Sequence, residues 1–219
     1  MAELIQQMLT LGYPNLILLA VGGGGLSSGM VRYAESFGLT TKFRFVEPAG
    51  AASLNAALKS KKRIKLQKIN NFIDGAAVGQ IGLENFKILK KFSSDSVILS
   101  PEDRVCNTMM QLLNLEGLVL EPAGALSIDG LNDLDPEEVK GKRLVCIVSG
   151  GNFDFERLPD VKERSLRFSG MKKYLILTMP QRPGALKDFL NLLGPDDDIA
   201  RFEYLKKSAR NFGSVLIGI

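Results

Sequence analysis

The 219-residue chain contains no histidine. Without imidazole there is no Ser–His or Cys–His nucleophilic pair, and the commonest transition-metal ligand is missing. Cysteine is nearly absent too. Cys106 and Cys146 are far apart in apolar segments and read as buried free thiols in a reducing compartment rather than a disulfide. No apolar run approaches the ~20 residues of a membrane-spanning helix, and no signal peptide stands at the start. The expected location is the cytoplasm, with no membrane partner. The net charge of +4 is spread along the chain. Its densest run, Lys59, Lys61, Lys62, Arg63 and Lys65, has no interleaved aromatics and reads as a solvated loop, not a nucleic-acid contact. With 45% apolar and 24% charged residues, the composition is that of one medium domain or two small ones.

What the chain does have is glycine in one place. Gly22-Gly23-Gly24-Gly25 follows an apolar run over residues 16–21 and precedes a helical pattern starting at Leu26. A buried strand, a glycine turn and a helix start together wrap a phosphate. Residues without Cβ let amides approach an anion, and the helix start adds unpaired N–H groups at the positive end of its dipole.

Further along, residues 42–47 read as a strand ending in Glu47-Pro48, and 53–59 as a helix capped by Ser53. Residues 72–78 read as a loop, 82–91 as a helix and 96–99 as a strand. Ser100 reads as the N-cap of a helix running to about Asn114, with Pro101 at its first position. Glu121-Pro122-Ala123-Gly124-Ala125 leads into another helix. Residues 143–148 read as a buried strand, followed at once by Ser149-Gly150-Gly151-Asn152. Strands alternating with helices predict a parallel sheet covered on both faces, with ligands beyond the carboxyl ends of the strands. Both glycine loops leave such ends. After a polar stretch near 158–171 comes a β-α-β-β unit: strand 174–179, helix 183–193, strands 199–206 and 214–219. Its last strand has no closing turn, and a helix over residues 2–10 begins without a cap. The chain is therefore expected to be cut at both ends.

A P-loop is excluded by chemistry, since Met30 stands where its lysine must be. A dinucleotide fold competes, with Glu47 at the spacing of a ribose-binding acid, but Ser27 replaces the third glycine of its fingerprint. Pyridoxal phosphate needs a phosphate cup and a partner for its ring nitrogen. Gly22, Gly23, Gly24, Gly25 and the amide of Leu26 form the first, and the Ser149 hydroxyl suits the second. A plain packing turn at the glycines and a plain loop start at Ser149 remain the structural alternatives.

Taken in order, Val21-Gly22-Gly23-Gly24-Gly25-Leu26, Val46-Glu47-Pro48, Asp74-Gly75-Ala76-Ala77-Val78, Glu121-Pro122-Ala123-Gly124-Ala125, Ser149-Gly150-Gly151-Asn152, Arg182-Pro183-Gly184-Ala185-Leu186-Lys187 and Phe202-Glu203-Tyr204 resemble the biosynthetic threonine dehydratases. These are pyridoxal-phosphate enzymes of the tryptophan-synthase-β type (fold type II). The resemblance implies an incomplete parallel-sheet catalytic domain over 1–158, a linker over 159–172 and a partial α+β ACT-like regulatory domain over 173–219. It implies a lyase converting L-threonine to 2-oxobutanoate and ammonia, a step toward isoleucine. Isoleucine would be the allosteric effector, at Pro183, Gly184, Ala185 and Leu186, and the assembly a tetramer. No metal is expected, because Ala51-Ala52-Ser53 lacks the second acid of a cation site. The family's Schiff-base lysine lies in a Ser-x-Lys-x-Arg-Gly-like motif that has no counterpart here, and Lys42, Lys59 and Lys87 read as surface residues. No catalytic residue is assigned, and the isolated chain is expected to lack lyase activity. Two alternatives stay open: an amino-acid-sensing module without catalysis, and a Rossmann-type nucleotide-binding protein. From the front half alone, a serine or diaminopropionate lyase fits as well as a threonine lyase.

Overall fold

The computed structural model describes residues 12–206 and 212–219; the helix expected over 2–10 lies outside them. The chain divides into two compact units, Met1–Ser165 and Leu166–Ile219.

The first unit is built on four parallel strands, β1 (Leu16–Ala20), β2 (Lys42–Pro48), β3 (Val97–Ser100) and β4 (Leu144–Ile147), in the order β3-β2-β1-β4. Every residue of β1 is buried. Its side chains alternate between two apolar layers, as the pleat requires. Ile17 and Leu19 pack with Met30, Val31 and Ala34 of α1 (Gly25–Ser36), Leu54 and Ala57 of α2 (Ser53–Lys59), and Phe86 and Leu89 of α3 (Leu83–Leu89). Leu16, Leu18 and Ala20 pack with Val105 and Cys106 of α4 (Glu102–Gln111), Ala123 and Leu126 of α5 (Pro122–Asp129), and Val161 of α7 (Leu158–Phe168). A short α6 (Pro136–Val139) precedes β4. Helices thus cover both faces of a parallel sheet, which explains the unbroken apolar run in β1.

Five local readings are corrected. Ser53 is the first residue of α2, not its cap; Ala52 holds the cap position, and the buried Ser53 hydroxyl has no partner among the described residues. Ser100 likewise caps nothing: Pro101 is the extended residue before α4. That helix ends at Gln111 and passes into a π-helical turn, Leu112–Glu116, closed by Gly117 at φ +66°. The strand expected to be buried over 143–148 is half-buried in β4, because it has a neighbour on one side only among the described residues. The polar stretch after 158 is helical, since its spacing puts Val161 and Ser165 on one buried face of α7.

The second unit joins β5 (Tyr174–Pro180), α8 (Ala185–Leu190), β6 (Arg201–Lys206) and β7 (Phe212–Gly218). The three strands pair antiparallel in the order β5-β7-β6, so β5 and β6 flank β7 in a split β-α-β arrangement. A small core of Met179, Ala185, Val215 and Ile217 lies under α8, while Ile176 is 69% exposed. This is the β-α-β-β order and the α+β class expected from sequence.

Candidate functional site

β1 ends at Ala20, and the amide of Val21 still donates to the carbonyl of Val46 at 2.9 Å. The backbone then leaves the sheet through the four glycines and enters α1 with Gly24 at φ +85°. The four are not equivalent. A Cβ on Gly22 would stand 3.0 Å from the Cα of Ala76, and one on Gly24 would stand 2.6 Å from Cδ1 of Ile81. Those two glycines are demanded by packing. A Cβ on Gly23 or Gly25 would meet nothing within 4 Å, and neither residue has positive φ. Nothing in the fold requires glycine there. Space kept clear at a helix start is what an anion pressed against the backbone needs.

The carbonyl of Gly23 accepts from Asn85 Nδ2 at 2.7 Å and from the Gly82 amide at 3.1 Å. Asn85 is held in turn by the Ser28 hydroxyl, which donates to its Oδ1 at 2.9 Å. In the trans peptide that this carbonyl begins, the Gly24 N–H points the opposite way. Among the described residues, no backbone carbonyl accepts from the amides of Gly23, Gly24, Gly25 or Leu26. Asn85 escaped sequence reasoning because a single amide side chain in an amphipathic helix carries no distinguishing pattern.

The remaining glycine motifs converge on this loop. A Cβ on Gly75 would stand 2.9 Å from the Cβ of Ala123, one on Gly124 would run into the carbonyl of Gly150, and one on Gly150 would strike the Glu121 carboxylate. Small residues at 22, 75–76, 123–124 and 150 let four backbone segments pass at close range. The β1–β4 ladder ends with Leu19 beside Ile147, two residues before Ser149. Ser149 is exposed, on the chain that leaves the carboxyl end of β4.

Glu47 has another role. It is 0% exposed, and its carboxylate accepts from the amides of Leu54 at 2.7 Å and Asn55 at 2.8 Å, capping α2 from outside the helix. Burial pushes its pKa up to about 7, against the lowering effect of the α2 amides. A carboxylate so enclosed is not offered to a ribose. Lys42, Lys59 and Lys87 are exposed, as expected. Arg63 departs from the solvated-loop reading: its Nε donates to the carbonyl of Ile81 at 2.8 Å, behind the glycine turn. Both cysteines are free; burial pushes the Cys106 thiol up to about 12 and the Cys146 thiol to about 11. No helix among the described residues is long and apolar enough to cross a membrane.

In the second unit, an open pocket of about 760 Å³ is lined by Arg182, Pro183, Gly184, Ala185, Leu186 and Tyr204, among others. It contains all four residues of the expected effector segment.

Residues 1–150 match the family model described as pyridoxal-phosphate dependent enzyme, and residues 163–219 match that of the C-terminal regulatory domain of threonine dehydratase. The chain is 48% identical to the biosynthetic L-threonine dehydratase of Halalkalibacterium halodurans over 206 residues, which are 94% of this chain and 49% of that protein. It is 48% identical to the corresponding Bacillus subtilis protein over 207 residues, again 94% and 49%. It thus spans about half the length of the curated relatives it matches. Among solved structures, the processed form of threonine deaminase isoform 2 from Solanum lycopersicum superposes with a TM-score of 0.67 at 30% identity, covering 73% of this chain and 47% of that one. The match of residues 1–150, about two thirds of the sequence, to that family model places the chain in the family of pyridoxal-phosphate dependent enzymes.

Proposed function

We propose that this chain is part of a threonine dehydratase, in which residues 1–158 carry half of the cofactor site and residues 173–219 carry part of an amino-acid-sensing regulatory domain. The observation that supports this most directly is the split among the glycines. Gly22 and Gly24 serve packing, whereas Gly23 and Gly25 keep open the space where a phosphate would sit. The amides of Gly22, Gly23, Gly24, Gly25 and Leu26 would hold that phosphate, aided by the dipole of the 12-residue α1. Pyridoxal phosphate supplies an electron sink for bonds at the Cα of an amino acid. The Ser149 hydroxyl would donate a hydrogen bond to the ring nitrogen without protonating it, which suits loss of a β-hydroxyl from L-threonine. The products would be 2-oxobutanoate and ammonia. The relatives at 48% identity are threonine dehydratases, which favours threonine over the serine and diaminopropionate substrates of structural neighbours at 15% and 19% identity.

Pro183, Gly184, Ala185 and Leu186 would take the effector, isoleucine, in the open pocket beside Tyr204. Assembly as a tetramer and a cytoplasmic location belong to the same reading.

The test uses Gly23→Ala and Gly25→Ala, each measured for pyridoxal phosphate binding by absorbance and for urea stability. The added methyl meets open space, so stability should stay within about 0.5 kcal/mol of the parent. Affinity for the cofactor should fall at least about tenfold, or about 1.4 kcal/mol. Unchanged affinity in both variants would rule out the glycine cup.

A further inference from the structure

The wall behind Gly22 is the backbone of Gly75 and Ala76, whose carbonyls would each lie 3.3 Å from a Cβ on Gly22. What holds that wall is not a regular element. Residues 72–78 form turns closed by short local bonds, such as Ala76 N–H to the carbonyl of Ile73 at 3.0 Å and Val78 N–H to that of Ala76 at 2.9 Å. The anchor stands at the start of the loop, on Phe72. Its ring, 8% exposed, carries the Arg164 guanidinium at 4.0 Å and the Arg157 guanidinium at 5.0 Å from its centroid. Arg157 also donates through Nη2 to the Phe72 carbonyl at 2.6 Å, and its Nη1 lies 3.5 Å from Asp74. Arg164 is aimed by two carboxylates, Asp103 of α4 at 3.0 Å and Asp160 of α7 at 3.2 Å. Two cations on one ring repel each other. Their shared place is supported by those acids and by the ring's negative faces, which attract a cation more strongly when water is excluded.

We propose that Arg157 and Arg164 are positioning residues for the cofactor site: by gripping Phe72 they fix the 72–78 loop, and with it the face of the glycine turn that receives the phosphate. This rests on the reading of the glycine turn as a phosphate cup. Neither arginine touches the cup itself. Each holds the loop by a flat guanidinium, a shape that lysine cannot supply.

The experiment compares the parent chain with Arg164→Lys, Arg157→Lys, the double lysine variant, Phe72→Leu and Phe72→Tyr. Two readouts are taken: amide hydrogen exchange at Ala76, Ala77 and Val78 without ligand, and the affinity for pyridoxal phosphate. The lysine variants keep the charge but lose the stacking. The double variant should exchange at least tenfold faster at those three amides and bind the cofactor about tenfold more weakly, with exchange in β1 and β2 unchanged. Phe72→Leu should reproduce both effects, and Phe72→Tyr, which keeps the ring, should restore both. Parent-like exchange at 76–78 in the double variant overturns the clamp. Faster exchange with unchanged affinity overturns its link to the cofactor. A parent chain that binds no pyridoxal phosphate while the exchange pattern holds would overturn the cup reading and leave the loop anchor standing.

Discussion

The two sheets of this protein solve the burial problem in opposite ways. β1 is buried along its whole length between two helical layers, and its ligand loops are backbone segments packed against one another at contact distance. β5 of the second unit buries Met179 and exposes Ile176, over a core of four buried side chains. In the first, shape is held by tight packing, so a single added carbon is felt. In the second, the pocket at 182–186 sits on a turn before a six-residue helix, with much of its lining open to water. The glycine turn proposed for the cofactor thus lies among closely packed backbone, and the pocket proposed for the effector lies on a surface that has little packing to lose.

The sharpest way to break this contrast is to delete bulk in each sheet. Phe45 is fully buried and meets Phe92 edge-on at 4.9 Å. Phe45→Ala should cost about 4 kcal/mol in urea unfolding. The next test is pH. Glu47 has a folded value of about 7 against an ordinary 4.5. Between those values the folded chain keeps a proton that the unfolded chain has released. The stabilisation is therefore complete below pH 4.5 and shrinks by about 3 kcal/mol as the pH rises through 7. Urea midpoints from pH 4 to 8 should show this fall in the parent and a flatter profile in Glu47→Gln; equal slopes would remove Glu47 as the cause. Third, Gly24→Ala combines positive φ with a clash on Ile81 and should cost about 2 kcal/mol, where Gly23→Ala costs almost nothing. Smallest of all, Ile176→Ser on the exposed face of β5 should shift stability by no more than about 0.5 kcal/mol. If it destabilises as much as Phe45→Ala, the second sheet is covered in solution and the contrast fails.

Much of this was legible in the residues, and the misses share a cause. The strands at 16–20 and 42–48, the β-α-β-β unit and the convergence of the glycine motifs follow from local pattern and from the rule that parallel strands present their loops on one side. The cap of α2 was misread because Ser53 has the favoured chemistry at the favoured place, while the group that binds the α2 amides is the Glu47 carboxylate, brought in from the end of β2. The grip of Asn85 on Gly23 joins residues 62 positions apart. The Arg157–Phe72 pair spans 85. No spacing rule reaches that far.

By itself the sequence determined that a glycine turn would follow a buried strand and open a helix, because strand, glycine and helix signals are short-range and depend on backbone freedom within a few residues. Only the tertiary structure decided which glycines the fold consumes and which it leaves open. That choice depends on whether Ala76 or Ile81, or empty space, stands opposite each Cα, and such neighbours come from elements distant in the chain.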